Sequence, residues 1–241
     1  MMESFIERMR LFEKQIELEW KVSYFLGSGD SCQIFSDPTT KTHNISIPER
    51  WLKSTTIFFS IYLHEVLHEL CHAKLAELID PIFSTVIFSK KYSIADRKFQ
   101  KSAKQLYLSQ SHVDIWVNDL RHHVWPHVTI VDCASFLRAA EVIFHEDPTI
   151  ITDSLELSIA LAQYLGEAKR RSLFIPLLPQ SLLTPLIIEL SQFYQSLPPL
   201  SYNKTEDIRL LEKTTQQAAR ILDFQIIPKL VDEEGRIVWI L

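Results

Sequence analysis

The alternation of apolar and polar residues predicts a small N-terminal sheet followed by a run of helices. Residues 3–18 have apolar side chains three and four positions apart, which is typical of an amphipathic helix. Three short stretches separated by turns then predict strands, with the second as the partner of the first: residues 20–25, 32–35 and 43–48. The third strand is expected to offer an edge with which an extended peptide can pair.

A long second helix is predicted to begin at Ser54 or Thr55, either of which can cap it, and to stop before Pro81. It is apolar nearly all the way round, apart from a set of histidines and glutamates. A helix of this kind is buried, and buried ionisable groups are costly unless they are paired or bind a ligand. The polar set in this helix therefore indicates a site.

The rest of the chain is predicted to be mainly helical, with helices over residues 96–108, 111–123, 132–145, 152–171 and 205–222. Two closing strands are expected over residues 224–227 and 237–240. The proline-rich segment 173–187 is interpreted as a buried irregular loop, with an exposed surface for a partner as the alternative. These elements together predict an α+β, predominantly helical protein.

The second helix contains the sequence HExxH twice, in two registers that share His68. Residues 64–68 form the first register and residues 68–72 the second. Histidines four positions apart lie on one face of a helix, where both can bind one Zn²⁺, and the glutamate after the first histidine can act on the water that the metal activates. His64 and His72 are about 12 Å apart along the helix axis, so they cannot bind the same ion.

The first register is favoured because the long apolar stretch 57–63 leads into it, although Glu69 directly after its second histidine is unusual. The second register ends in a more typical way, at residues 70–73, but it places His64 and Glu65 in a buried lead-in. The glycine of the extended HExxHxxGxxH pattern is missing, which excludes the metzincin type. On these residues both registers stay open.

A catalytic zinc site needs a third protein ligand, and the best candidate is Asp114 on the helix predicted downstream. Asn118 lies four positions later on the same face. One of the two could bind the metal while the other holds a ligand histidine through a hydrogen bond. His112 is the alternative third ligand. Three further histidines are candidates for supporting or oxyanion-stabilising roles: His122, His123 and His127.

Composition narrows the classes of function. The 241 residues carry a net charge of −5, without the basic surface of a nucleic-acid binder. Only 4 glycines are present, and neither GxGxxG nor GxxxxGK[ST] occurs, so these nucleotide-binding motifs are absent. The first residues do not resemble a secretory signal, and no apolar run suits a membrane span. Cys32, Cys71 and Cys133 are far apart, which predicts free thiols in the cytoplasm.

With these residues identified, the chain resembles the zincin metallopeptidase superfamily, in a gluzincin-like layout. It is similar to metallopeptidases of bacteria and archaea that are often linked to von Willebrand factor A-type domains. Residues 64–68 match their HEVLH helix, and residues 114–118 match a following helix with an aspartate and, four positions later, an asparagine. The resemblance covers about residues 40–125. It implies that His64, His68 and Asp114 bind Zn²⁺ and that Glu65 is the general base.

The resemblance further implies a minimal zincin core with a small N-terminal sheet over residues 1–130. The expected function is that of a zinc-dependent metallopeptidase that hydrolyses a peptide or protein substrate. The alternative is a zincin-derived, non-catalytic, metal-containing module that binds peptides or proteins. The helical C-terminal region, residues 131–241, is expected to pack on the core and to cover the site or dock a protein partner.

Overall fold

The computed structural model describes residues 2–52, 56–146, 149–152 and 154–241 of the chain. Helix makes up 58% of the structure, and two small sheets accompany it, which confirms the predicted α+β, predominantly helical fold. The predicted start of the long helix, at Ser54 or Thr55, lies outside the described residues. Within them, no helix combines the length and the apolar character that crossing a membrane requires.

Most helices and strands lie within a few residues of their predicted positions. The helices α1 to α10 are Met2–Gln15, Glu49–Leu52, Thr56–Leu78, Arg97–Ser109, Val113–Val124, Pro126–Glu146, Thr149–Thr152, Leu155–Arg170, Pro185–Ser196 and Lys204–Ile221. The strands β1 to β5 are Lys21–Gly27, Gln33–Asp37, Thr42–Pro48, Lys229–Glu233 and Arg236–Ile240. Two short 3₁₀ helices are Pro81–Phe83 and Gln180–Leu182.

Strand β3 is the centre of the N-terminal sheet, parallel to β1 and antiparallel to β2. The predicted pairing of the first strand with the second is therefore wrong. The hairpin joins β2 to β3 through a turn in which Asp37 Oδ1 accepts the Thr39 N–H at 2.9 Å. Because β3 is paired on both sides, it cannot offer an edge to a peptide, and that expectation is also wrong. The edges of the sheet are β1 and β2.

Contacts within the chain divide it into two compact units, of which the first contains the sheet and α3. This unit consists of the residues up to Ile87, together with Val117–Val128 and Tyr202–Lys204. Its core is formed by side chains from α1, the sheet and α3, including Phe5, Met9, Val22, Ile34, Ile45, Ile47, Val66, Leu67 and Leu70. Each such side chain contributes about 1.5–3 kcal/mol when it is fully buried. The apolar surface of α3 is thereby fixed against the sheet.

A buried polar cluster fastens the last turns of α3 to the sheet. His43 Nε2 lies 3.0 Å from Glu77 Oε1, and Ser36 Oγ lies 2.7 Å from His43 Nδ1. Glu77 also accepts the backbone N–H groups of Glu19 and Trp20. Burial raises the pKa of Glu77, but these hydrogen bonds outweigh it and the pKa is lowered. Since Ser36 is only 1% exposed, this Ser–His–Glu arrangement is structural and cannot reach a substrate.

The second unit consists of Phe88–Trp116, Thr129–Ser201 and Thr205–Leu241. Its helices α8 and α9 pack closely because Gly166 has no side chain. A Cβ atom at this position would lie only 2.6 Å from the Cβ of Tyr194. This close approach brings α9 against the middle of α8.

Two predictions for the second unit need correction. The closing hairpin is formed by β4 and β5, so the strand predicted over residues 224–227 is wrong. Those residues are an extended connection in which Ile227 is 73% exposed. Apart from the 3₁₀ helix Gln180–Leu182, the proline-rich segment is irregular up to α9, a helix that was not predicted. It is neither wholly buried nor wholly exposed: Leu178 and Leu182 are buried, whereas Leu177 is 90% exposed.

We expect Glu77→Gln to lower the free energy of unfolding by about 2 kcal/mol, because a charged acceptor of several buried hydrogen bonds becomes a neutral amide. Urea denaturation followed by circular dichroism at neutral pH measures this change. The exposed Glu19→Gln is the control and should change stability by less than about 0.5 kcal/mol. Equal effects of the two substitutions would show that the cluster does not stabilise α3.

Candidate metal centre

Helices α3 and α5 are antiparallel where they meet within the first unit. His68 Nδ1 lies 3.1 Å from Asn118 Oδ1, and Arg121 Nη1 donates to the backbone carbonyl of His64 at 3.2 Å. Residue numbers therefore increase along α5 in the direction in which they decrease along α3. The predicted hydrogen bond between Asn118 and a histidine of the motif is present.

A group that could hold a metal ion is found in the part of the chain that the structure describes. It consists of His68, His72 and Asp114, which offer one ligand atom each, all within 4.8 Å of one another. Donors around a tetrahedral zinc ion, at bond lengths of about 2.0–2.1 Å, are about 3.3 Å apart. All three side chains are partly buried. The group contains two predicted ligands, His68 and Asp114, together with His72 and not His64.

Both histidines of the group are oriented through Nδ1. His72 Nδ1 donates to the backbone carbonyl of Phe83 at 2.6 Å, and His68 Nδ1 faces the amide oxygen of Asn118. A neutral imidazole with its proton on Nδ1 carries its lone pair on Nε2. Acceptors at Nδ1 fix the tautomer and the ring orientation of metal-binding histidines. Nε2 is therefore the ring nitrogen through which each histidine could bind a metal.

The first glutamate of the doubled motif has a structural contact. Glu65 Oε2 accepts the backbone N–H of Cys32 at 3.4 Å, immediately before β2. Burial raises the pKa of the Cys32 thiol, and the carboxylates of Glu69 and Glu65 raise it further. Both carboxylates thus lie near this thiol. The assignment of His64 as a ligand and of Glu65 as the general base stays a prediction, while the geometry favours the second register.

His112, the alternative third ligand, is a core residue. It is fully buried, its Nδ1 donates to the Ser109 carbonyl at 2.9 Å, and its Nε2 lies 2.8 Å from Thr214 Oγ1. Burial lowers the pKa of His112 to about 4. Both ring nitrogens are engaged, so the ring is not available to a metal. Two of the further histidine candidates, His123 and His127, are exposed.

Comparison of the chain with protein-family models, with curated proteins and with solved structures finds no match.

We expect His72→Ala to weaken zinc binding by more than about 100-fold, because it removes a ligand rather than a supporting group. His64→Ala is the matched control on the same helix and should bind zinc like the wild-type chain. Competition with a chromophoric chelator measures both affinities. A loss of zinc affinity in His64→Ala alone would instead identify His64 and His68 as the ligand pair.

The buried His112 also predicts a dependence of stability on pH. Its pKa of about 4 in the folded chain lies below the unfolded value of about 6.5. The unfolded chain therefore binds more protons between these values. The stabilisation is complete above about pH 6.5 and is lost as the pH falls through about 4, by about 3 kcal/mol in total.

Urea denaturation at pH 7 and at pH 5 tests this expectation as a difference between variants. The loss of stability between the two pH values should be smaller for His112→Gln than for the wild-type chain. The exposed His123→Gln should retain the wild-type loss. Identical losses in all three proteins would contradict a neutral, buried His112.

Proposed function

We propose that the chain is a zinc-dependent metallopeptidase that hydrolyses peptide bonds in a peptide or protein substrate. The observation that carries the proposal is the group of His68, His72 and Asp114, with both rings oriented through Nδ1. Two imidazole nitrogens and one carboxylate oxygen are donors that zinc favours. A zinc ion held by three protein ligands would keep a position for water, which is characteristic of catalytic rather than structural zinc.

In this proposal each residue of the centre has a defined task. His68 and His72 would hold the ion through Nε2, and Asp114 would hold it through a carboxylate oxygen. Asn118 and the carbonyl of Phe83 keep the two rings in place. Zinc, when bound, supplies Lewis acidity, which acidifies water and polarises a peptide carbonyl.

Glu69 is the proposed general base. In the second register it directly follows the first ligand histidine, which is the position of the glutamate in HExxH. It is partly buried, and it can take a proton from the attacking water and deliver it to the leaving amine. Glu65 lies one turn earlier and hydrogen-bonds the backbone of Cys32. The two glutamates are therefore proposed to have different roles, one chemical and one structural.

We expect Glu69→Gln to lower peptide hydrolysis by about 100- to 10,000-fold, the usual contribution of a general base, with zinc still bound. Glu65→Gln is the matched control and should retain most of the activity. Cleavage of a fluorogenic peptide library and the zinc content of each protein are the two measurements.

The same pair of measurements separates the alternatives. Bound zinc without cleavage that depends on either glutamate would contradict the enzyme and leave the non-catalytic binding module. Loss of activity in Glu65→Gln alone would identify Glu65, the glutamate of the first register, as the general base. A chain prepared without chelators that holds no zinc would exclude both the enzyme and the metal-containing module.

A further inference from the structure

The orientation of Asp114, the third ligand of the proposed centre, is not determined by the doubled HExxH motif. Each histidine ring is fixed by an acceptor at its second nitrogen. The carboxylate of Asp114 has two oxygens, and either of them could be the one that binds a metal. Groups that hydrogen-bond a ligand carboxylate usually decide which oxygen is available.

Such a group is present on α8. The side-chain amide nitrogen of Gln163 donates to Asp114 Oδ2 at 3.2 Å and to the backbone carbonyl of Ser111 at 2.5 Å. An amide nitrogen has two hydrogens, so both bonds can form at once. Gln163 therefore links the carboxylate to the backbone at the start of α5. This arrangement leaves Oδ1 as the oxygen not held by Gln163.

The same helix pair also contacts the side chain of Ser111. Tyr194 on α9 is fully buried, and its hydroxyl lies 2.7 Å from Ser111 Oγ. Tyr194 approaches α8 closely because Gly166, one turn after Gln163, has no side chain. Helices α8 and α9 thus contact both Ser111, just before α5, and Asp114, in the first turn of α5.

We propose that Gln163 is a positioning residue of the metal centre, which fixes the orientation of the Asp114 carboxylate through Oδ2. This inference rests on the proposed function. It assigns α8 a task in metal binding, which the doubled motif alone does not indicate. Gln163 does not itself bind the metal or touch the substrate.

The test compares the zinc affinity of the full-length wild-type chain with that of Gln163→Met, which keeps the length of the side chain and removes the amide. We expect zinc to bind about 10- to 100-fold more weakly to this variant. Gln192→Met, an exposed position on α9, is the matched control and should bind zinc like the wild type. The visible spectrum of the Co²⁺ form should change in Gln163→Met alone, since it reports the geometry around the ion.

The outcomes distinguish the inference from the function on which it rests. Equal zinc affinity of wild type and Gln163→Met would overturn the positioning role. A weaker affinity that is matched by unfolding of the metal-free variant, seen in its circular dichroism, would also overturn it and leave a structural role. Zinc binding by the wild type that Asp114→Ala does not weaken would overturn the proposed centre itself.

Discussion

The burial of polar groups on α3 is the constraint on which the first unit depends. A buried polar group without a partner costs about 1–3 kcal/mol, and a buried charge costs more. The polar side chains of α3 accordingly have hydrogen-bond partners on different elements. Glu65 contacts the residue before β2, and His68 contacts α5. His72 contacts the 3₁₀ helix Pro81–Phe83, and Glu77 contacts β3 and the residues before β1. One helix thus contacts five neighbouring segments through polar groups that the apolar core alone would not tolerate.

The doubled motif shows how surroundings assign roles to identical residues. His64, His68 and His72 occupy successive turns of one helix, so the sequence gives each pair the same spacing. The elements opposite them differ. Acceptors for Nδ1 lie at His68 and His72, whereas the buried guanidinium of Arg121 lies at the backbone of His64. The group that could hold a metal ion accordingly contains His68 and His72 and not His64.

Local patterns predicted the helices well because apolar periodicity depends on neighbours in sequence. Asp114 and Asn118 were found in the same way, since their spacing on α5 is a local property. The sheet order was not accessible, because the pairing of β1 with β3 depends on contacts across the fold. The sequence does contain a local signal for helix α9, which the prediction missed: Thr184 caps the helix and Pro185 occupies its first turn. The Phe83 carbonyl and Gln163 carry no signature, since a backbone group or a lone glutamine acquires a role only through its position.

The choice of neutral partners around the proposed centre has a chemical consequence. A dication held by two neutral imidazoles and one carboxylate retains a net charge of about +1. The acceptors at Nδ1 are an amide oxygen and a backbone carbonyl, which orient the rings without adding negative charge. An aspartate at position 118 would reduce the net charge and with it the acidity that the ion confers on water. Asn118 therefore suits a centre in which the ion must stay electrophilic while Glu69 supplies the negative charge that accepts the proton.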